Sequence, residues 1–259
     1  MDRDIHLFYT LLEYKIMSFH QIRKFIFSNT RQQVTYRRLL KFLLGGYIER
    51  IFLPHGDRYM SAYSLSENGL KKLVEVKGVQ MARYQLRSNS IDHDLALVEI
   101  GERLKNAGGV VKYLTENILR STIDYDEAWR YRDFVQNCSD ACLEIERDDR
   151  IIRIAVEYES TLKSNERYER KFMDYRLSNN IGIVFYICES INVWNRLEKL
   201  LLGIATHNNL FVYFALRQDL FSPSNEVIFK GPGSRIFQMI WPTEIAEKSN
   251  ENKESTPVE

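Results

Sequence analysis

The sequence predicts an α/β protein of the α+β kind, in which a small helical unit with a hairpin precedes a larger mixed-sheet unit. Three observations carry this. The first eighty or so residues are short amphipathic helices that end in two strand-like segments around a Pro-Gly turn. The rest alternates helical and strand patterns and includes a nearly continuous apolar run, Ile181 to Cys188, of the sort that buried strands carry. Charge divides in the same place: residues 1–84 carry 14 Lys/Arg against 7 Asp/Glu, net +7, and residues 85–259 carry 22 against 28, net −6.

Composition sets outer limits. Hydrophobic residues make up 44% of the 259 and charged residues 27%, ordinary for a globular chain long enough for two cores. No apolar run reaches the roughly 18 residues that a membrane span needs. Met1-Asp2-Arg3-Asp4 lacks the apolar stretch of a secretory signal. Cys138, Cys142 and Cys188 form no CxxC pair, and an odd count argues against a disulfide framework. The expectation is a soluble cytoplasmic protein with no membrane partner, its cysteines small, reduced and buried.

In the first unit, Ile5, Phe8, Leu11 and Leu12 fall at helical spacing. Ser18 and Gln21 form a capping box that opens a second helix, and Thr30 and Gln33 repeat the signature for a third. That third helix carries Val34, Leu39, Phe42 and Leu43 and stops at Gly45-Gly46. Strands at 47–52 and 59–65 flank Pro54-His55-Gly56-Asp57, and Ser66 starts a short helix. Three helices followed by a two-stranded hairpin is the order of a winged helix-turn-helix. Such a fold lays its third helix in the major groove of double-stranded DNA. Arg31, Thr35 and Arg38 share a face at i, i+4 and i+7, Gln32 lies beside them, and Arg58 at the wing tip is placed to meet a phosphate.

The winged helix is assigned to residues 1–76, a linker to 77–92, a second domain to 93–243 and a polar, disordered tail to 244–259. The second domain reads as a helix at 93–106, a strand at 110–114, a polar excursion at 115–139, strands at 141–146 and 151–159 around Asp148-Asp149, a helix from Ser164, the apolar strand, a helix at 191–207 and a strand at 210–216. Gly231-Pro232-Gly233 is a turn. Helix-strand-strand-strand-helix-strand is the order of a restriction-endonuclease-like mixed-sheet core.

Carboxylates are placed where such a core does chemistry. Asp140 stands at the mouth of one strand, and Glu157 and Glu159 project from one face of the next. Converging carboxylates repel unless a cation lies between them. The three carboxylates are therefore expected to gather around a cation, Mg²⁺ or Mn²⁺, with Lys163 or Lys171 offsetting developing charge. The competing reading is a solvated sheet face whose acids pair with nearby Lys163, Arg167 and Arg170. His93-Asp94 reads as a helix start, and Tyr168 and Tyr175, seven apart, as packing residues.

The elements Asp140-Ala141, Val156-Glu157-Tyr158-Glu159-Ser160-Thr161-Leu162-Lys163-Ser164, Arg167-Tyr168, Lys171 and Tyr175, with His93-Asp94-Leu95-Ala96-Leu97-Val98, resemble the replication-relaxation family over roughly residues 5–215. That family includes the MobC-type plasmid mobilisation relaxases. The resemblance implies a winged helix joined to a PD-(D/E)xK-like nuclease domain, Asp140 and Glu157 as metal ligands, Glu159 as a third acidic position, and Lys163 or Lys171 as the lysine. Ser139 stands where the nuclease motif has proline, and Glu159 where it has lysine, so either the lysine has migrated or the domain is inactive. Two functions follow. One is an endonuclease that nicks DNA, such as an origin of transfer, in plasmid mobilisation. The other is a non-catalytic regulator or relaxosome accessory. Expected partners are DNA, relaxosome proteins and a second copy of the chain.

Overall fold

The computed structural model describes residues 2–55, 58–78, 85–121, 125–204 and 210–242. It is a mixed α/β chain with a three-stranded sheet and a seven-stranded one. The first part is α1 (Asp2–Tyr14), β1 (Met17–Ser18), α2 (Phe19–Phe25), α3 (Gln32–Leu44), β2 (Ile48–His55), β3 (Arg58–Leu65) and α4 (Glu67–Lys77). The capping box at α2 forms as the spacing predicts: Ser18 Oγ accepts from Gln21 N–H, and Gln21 Oε1 accepts from Ser18 N–H. At α3 it does not. Arg31 takes the N-cap without a side-chain bond, and the helix turns Thr35, Leu39 and Phe42 inward while Val34, expected in the core, is 48% exposed.

The larger part is α5 (Ile91–Lys105), β4 (Val110–Thr115), α6 (Glu116–Ser121), α7 (Tyr125–Gln136), β5 (Ala141–Arg147), β6 (Arg150–Glu159), α8 (Asn165–Leu177), β7 (Ile183–Cys188), α9 (Ile191–Ile204), β8 (Phe211–Leu216), α10 (Arg217–Leu220), β9 (Glu226–Gly231) and β10 (Arg235–Ile240). The strands lie in the order β10-β9-β8-β7-β6-β5-β4. From β4 to β8, only β5 opposes the rest. Asp148 and Asp149, both at positive φ, make the two-residue turn between β5 and β6, a geometry aspartate tolerates better than most residues.

Pleating splits the strands between two cores. Leu143, Val156, Phe185 and Phe229 face α1 and α5. Cys142, Ala155, Tyr186 and Phe214 face α7, α8 and α9. The polar excursion at 115–139 holds two helices, α6 and α7, whose Ile118, Tyr131 and Phe134 are buried. The hairpin β9–β10 went unread although its turn was placed. It curls over the first core, stacking Phe229 on Phe185 with ring centroids 4.1 Å apart. Cys138 is exposed, contrary to expectation. The tail expected after 244 lies outside the described residues.

The two units share their hydrophobic core: Leu7, Leu11 and Leu12 of α1 belong to the same cluster as Leu104 of α5 and Ile118 of α6. Of the expected linker, residues 79–84 lie outside the described residues, and Leu86 is buried in that common cluster. Polar groups reinforce the junction. Thr115 Oγ1 donates to the Glu13 carbonyl at 2.7 Å and Asn117 Nδ2 to the Leu12 carbonyl at 2.6 Å, satisfying acceptors that the end of a helix leaves open. Half-buried Lys105 pairs with Glu13 and Glu102, each at 2.9 Å, and Tyr14 donates to Glu102. Gly101 is what lets α1 approach α5, since a Cβ there would stand 2.5 Å from Tyr14 Oη.

Urea unfolding of the full chain, followed by fluorescence of its three tryptophans and by far-ultraviolet circular dichroism, should therefore give one coincident transition. Asn117→Ala, which strands the buried Leu12 carbonyl, should lower stability by about 1–3 kcal/mol and shift both signals together. Two separate transitions would contradict a shared core.

Candidate functional site

The carboxylate edge sits where β5 and β6 leave the sheet beside the start of α5. Asp140 immediately precedes β5, and the Ala141–Val156 pairing sets it level with Glu157. Its Oδ2 accepts from the Tyr158 N–H at 2.8 Å and lies 3.5 Å from His93 Nε2. His93 is held from its other nitrogen by Asp94, also at 3.5 Å. Burial alone would lower the His93 pKa, but the bonds and charges of Asp140 and Asp94 prevail and raise it to about 10. Burial would conversely raise Asp140, and His93, Lys171 and the Tyr158 N–H bring it below the usual range.

Glu157 and Glu159, expected on one face of β6, are there, and they are 4% and 5% exposed. Each has its own cation. Lys171 Nζ lies 3.0 Å from Glu157 Oε1 and donates to the carbonyls of Asn137 and Cys138. Tyr175 Oη also donates to Glu157 and is itself bonded to Ser139 at 2.8 Å. Lys163 Nζ lies 2.8 Å from Glu159, with Tyr168 Oη on the same carboxylate. Burial, with the Asp140 charge adding to it, pushes Glu157 up to about 7 against the pull of Lys171. Burial raises Glu159 as well, against Lys163.

The two candidate lysines are thus aimed inward, at different acids. The convergence expected of Asp140, Glu157 and Glu159 is only partial: Glu159 is committed to Lys163, and among the described residues no group of three or more His, Cys, Asp or Glu side chains is disposed to hold a metal ion. His93 and Tyr175 also belong to the cluster, a role their spacing does not give. The His93-Asp94 pair lies at the start of α5 as expected and reaches Asp140 from there, and Tyr175 packs as expected, with its hydroxyl on Glu157. A cleft of about 410 Å³ opens beside Asp140. A larger one, about 610 Å³, lies between α1 and β4, away from this edge.

The other expected site lies on α3, and its composition changes. Arg31 and Gln32 are exposed as expected. Thr35 is fully buried and Arg38 is held 2.5 Å from Asp4, so neither is free to read a base. The helix begins at Gln32 and packs through Thr35 and Leu39, which rotates the assumed face inward. The outward face instead carries Gln33, Tyr36, Arg37 and Lys41. Arg58 begins β3, and its side chain lies outside the described residues.

Comparison with family models, with curated proteins and with solved structures finds no match to this chain.

The raised pKa of Glu157 predicts a pH effect. The folded state binds this proton more tightly than the unfolded one, so stability is lost as pH rises from 4.5 to about 7. Glu157→Gln removes that titration. Urea unfolding across this window should show the variant gaining on the parent by on the order of 3 kcal/mol. A constant difference would mean that Glu157 titrates normally.

Proposed function

We propose that the chain is a DNA-binding protein that cuts one strand of DNA with Mg²⁺ or Mn²⁺, its first part a winged helix and its larger part a restriction-endonuclease-like core, as the resemblance to replication-relaxation proteins implies. The observation that carries this reading is the placement of Lys171 on Glu157, level with Asp140, at the end of the β5–β6 hairpin. The strand order, in which only β5 opposes β4, β6, β7 and β8, supports it. With glutamate in the strand position of the lysine, α8 supplies the cation instead.

Mg²⁺ needs only one or two carboxylates, its remaining positions going to water and phosphate oxygens. Asp140 and Glu157 fit that requirement: both are hard oxygen donors, and Asp140 lines the cleft. When bound, the ion would supply charge neutralisation and an activated water. The protein's own groups do the rest. His93 fixes the orientation of Asp140. Lys171, already desolvated, places positive charge beside the scissile phosphate. In hydrolysis a water oxygen bonds to phosphorus, the ester bond to one sugar breaks, and the leaving sugar oxygen takes a proton.

A non-catalytic regulator or relaxosome accessory is the second reading, and one observation favours it: Glu157 and Glu159 are each already neutralised by a lysine. Duplex recognition is assigned in both readings to Gln32, Gln33, Tyr36 and Arg37, whose amide and guanidinium groups suit base edges and phosphates.

Supercoiled plasmid incubated with the protein should be nicked only when Mg²⁺ or Mn²⁺ is present. Lys171→Met and Glu157→Gln should each slow nicking by roughly a hundredfold, about 3 kcal/mol, with duplex binding intact. Arg37→Ala should weaken duplex binding by about 1–3 kcal/mol in a salt-matched shift assay. Metal-independent or absent nicking with intact duplex binding would favour the accessory reading.

A further inference from the structure

The cleft of about 610 Å³ between α1 and β4 takes no part in the carboxylate edge. β4 ends the seven-stranded sheet, so one of its two edges has no strand beside it. Five consecutive residues of β4, 110–114, line the cleft on one side. His6, Tyr9, Thr10 and Glu13 line it on the other, at i, i+3, i+4 and i+7, which is one face of α1. A strand and a helix that keep to one cleft over this length bound a groove that runs along the strand. The groove is closed at one end, where Thr115 Oγ1 donates to the Glu13 carbonyl, and open at the other, where His6 is exposed and Val111 is 50% exposed.

The backbone of β4 is set for a partner on this side. Glu146 N–H bonds to the Gly109 carbonyl and Glu116 N–H to the Asp140 carbonyl, so Cys142 and Glu144, the alternate residues of β5 between them, turn their backbone groups toward β4. Their partners Leu114 and Lys112 turn theirs back toward β5. Tyr113, between the two, presents its N–H and C=O away from β5, on the groove side, and no described residue takes them up. Open strand edges of this kind pair with an added strand. At about 3.3 Å per residue, β4 offers it roughly 17 Å, the length of about five residues. Charge then selects the segment. Lys105 answers Glu13 and Glu102 at 2.9 Å each. Lys77, exposed at the end of α4 with its Nζ 5.7 Å from the centroid of the Tyr9 ring, and His6 make no ion pair among the described residues. Phe25 and Ile26 add an apolar wall. Side chains of a strand alternate in direction, so every second one can meet that wall.

We infer that the groove between α1 and β4 takes an extended peptide segment of a partner protein, added to the sheet as a strand beside β4, with alternate apolar side chains against Phe25 and Ile26 and an acidic side chain against Lys77. The inference goes beyond the proposed cleavage of DNA and does not rest on it. A displayed library of random peptides about ten residues long is selected on the full chain, and the sequences that emerge are synthesised, labelled and titrated by fluorescence anisotropy. They should carry an acidic residue beside alternating apolar ones. Lys77→Glu, a substitution at an exposed position, should weaken their binding at least about tenfold. N-methylation walked along the peptide should abolish binding at every second position of its core and leave affinity within about twofold at the positions between, because only alternate N–H groups of an added strand face β4. Failure to select any sequence, equal affinity for the Lys77→Glu chain, or losses on methylation without a period of two overturns the inference. Displacement of the peptide by an equal concentration of N-acetylglutamate would mark the groove as a site for small anions and overturn it as well.

Discussion

The docking of the last turn of α1 against β4 and α6 is the constraint on which the rest of the architecture depends. A helix end exposes carbonyls that must be satisfied, and here Thr115 and Asn117 of the larger part satisfy them. Around that contact lie buried Glu13 and half-buried Lys105 and Glu102, and the Glu13 carboxylate is tolerable there because Lys105 pairs with it. Burial raises the Glu13 pKa despite Lys105 beside it. The same contact sets Lys15 and Tyr14 at the rim of the cleft beside Asp140. The shape of the candidate site is therefore decided partly by the unit that does not contain it.

Much of the fold was legible because its signals are local. Capping at Ser18, the turn at Asp148-Asp149 and the apolar run ending at Cys188 each act within a few residues. The failures are tertiary. Whether Thr35 faces in or out depends on where α3 starts, and Arg31 displaced Thr30 from the cap. The stretch 115–139 looked polar because α7, among its described side chains, buries a narrow stripe, Tyr131 and Phe134, under a charged surface. β9 alternates buried and exposed residues over its six positions and β10 over its last five, a pattern easily lost next to a polar segment.

The carboxylate edge was legible as residue types and illegible as partnerships. Spacing on β6 placed Glu157 and Glu159 on one face, as found. Nothing in the spacing said that α8 would deliver Lys171 to one and the 160–163 turn Lys163 to the other. His93 joins from α5, 47 positions before Asp140 in the chain, so only the fold could bring the two together. The resulting cluster is dense in charge yet nearly balanced, with each acid near a cation. Burial prevails at Glu157 and Glu159, whereas partners prevail over burial at His93 and Asp140.

The junction of α1 also bears on how the chain acquires its structure during synthesis. The bonds that close the end of α1 join residues 102 and 105 positions apart, and Trp241 Nε1 donates to the Arg103 carbonyl across 138. Contacts of such separation form only after long loops have closed. At roughly 5–20 residues per second, the apolar face of α1 waits for seconds after leaving the ribosome before β4 and α6 exist to cover it. The N-terminal segment therefore spends that interval with Leu7 and Leu11 unpartnered by the larger part, and β3 and α4 of its own unit are the neighbours that α1 can reach first.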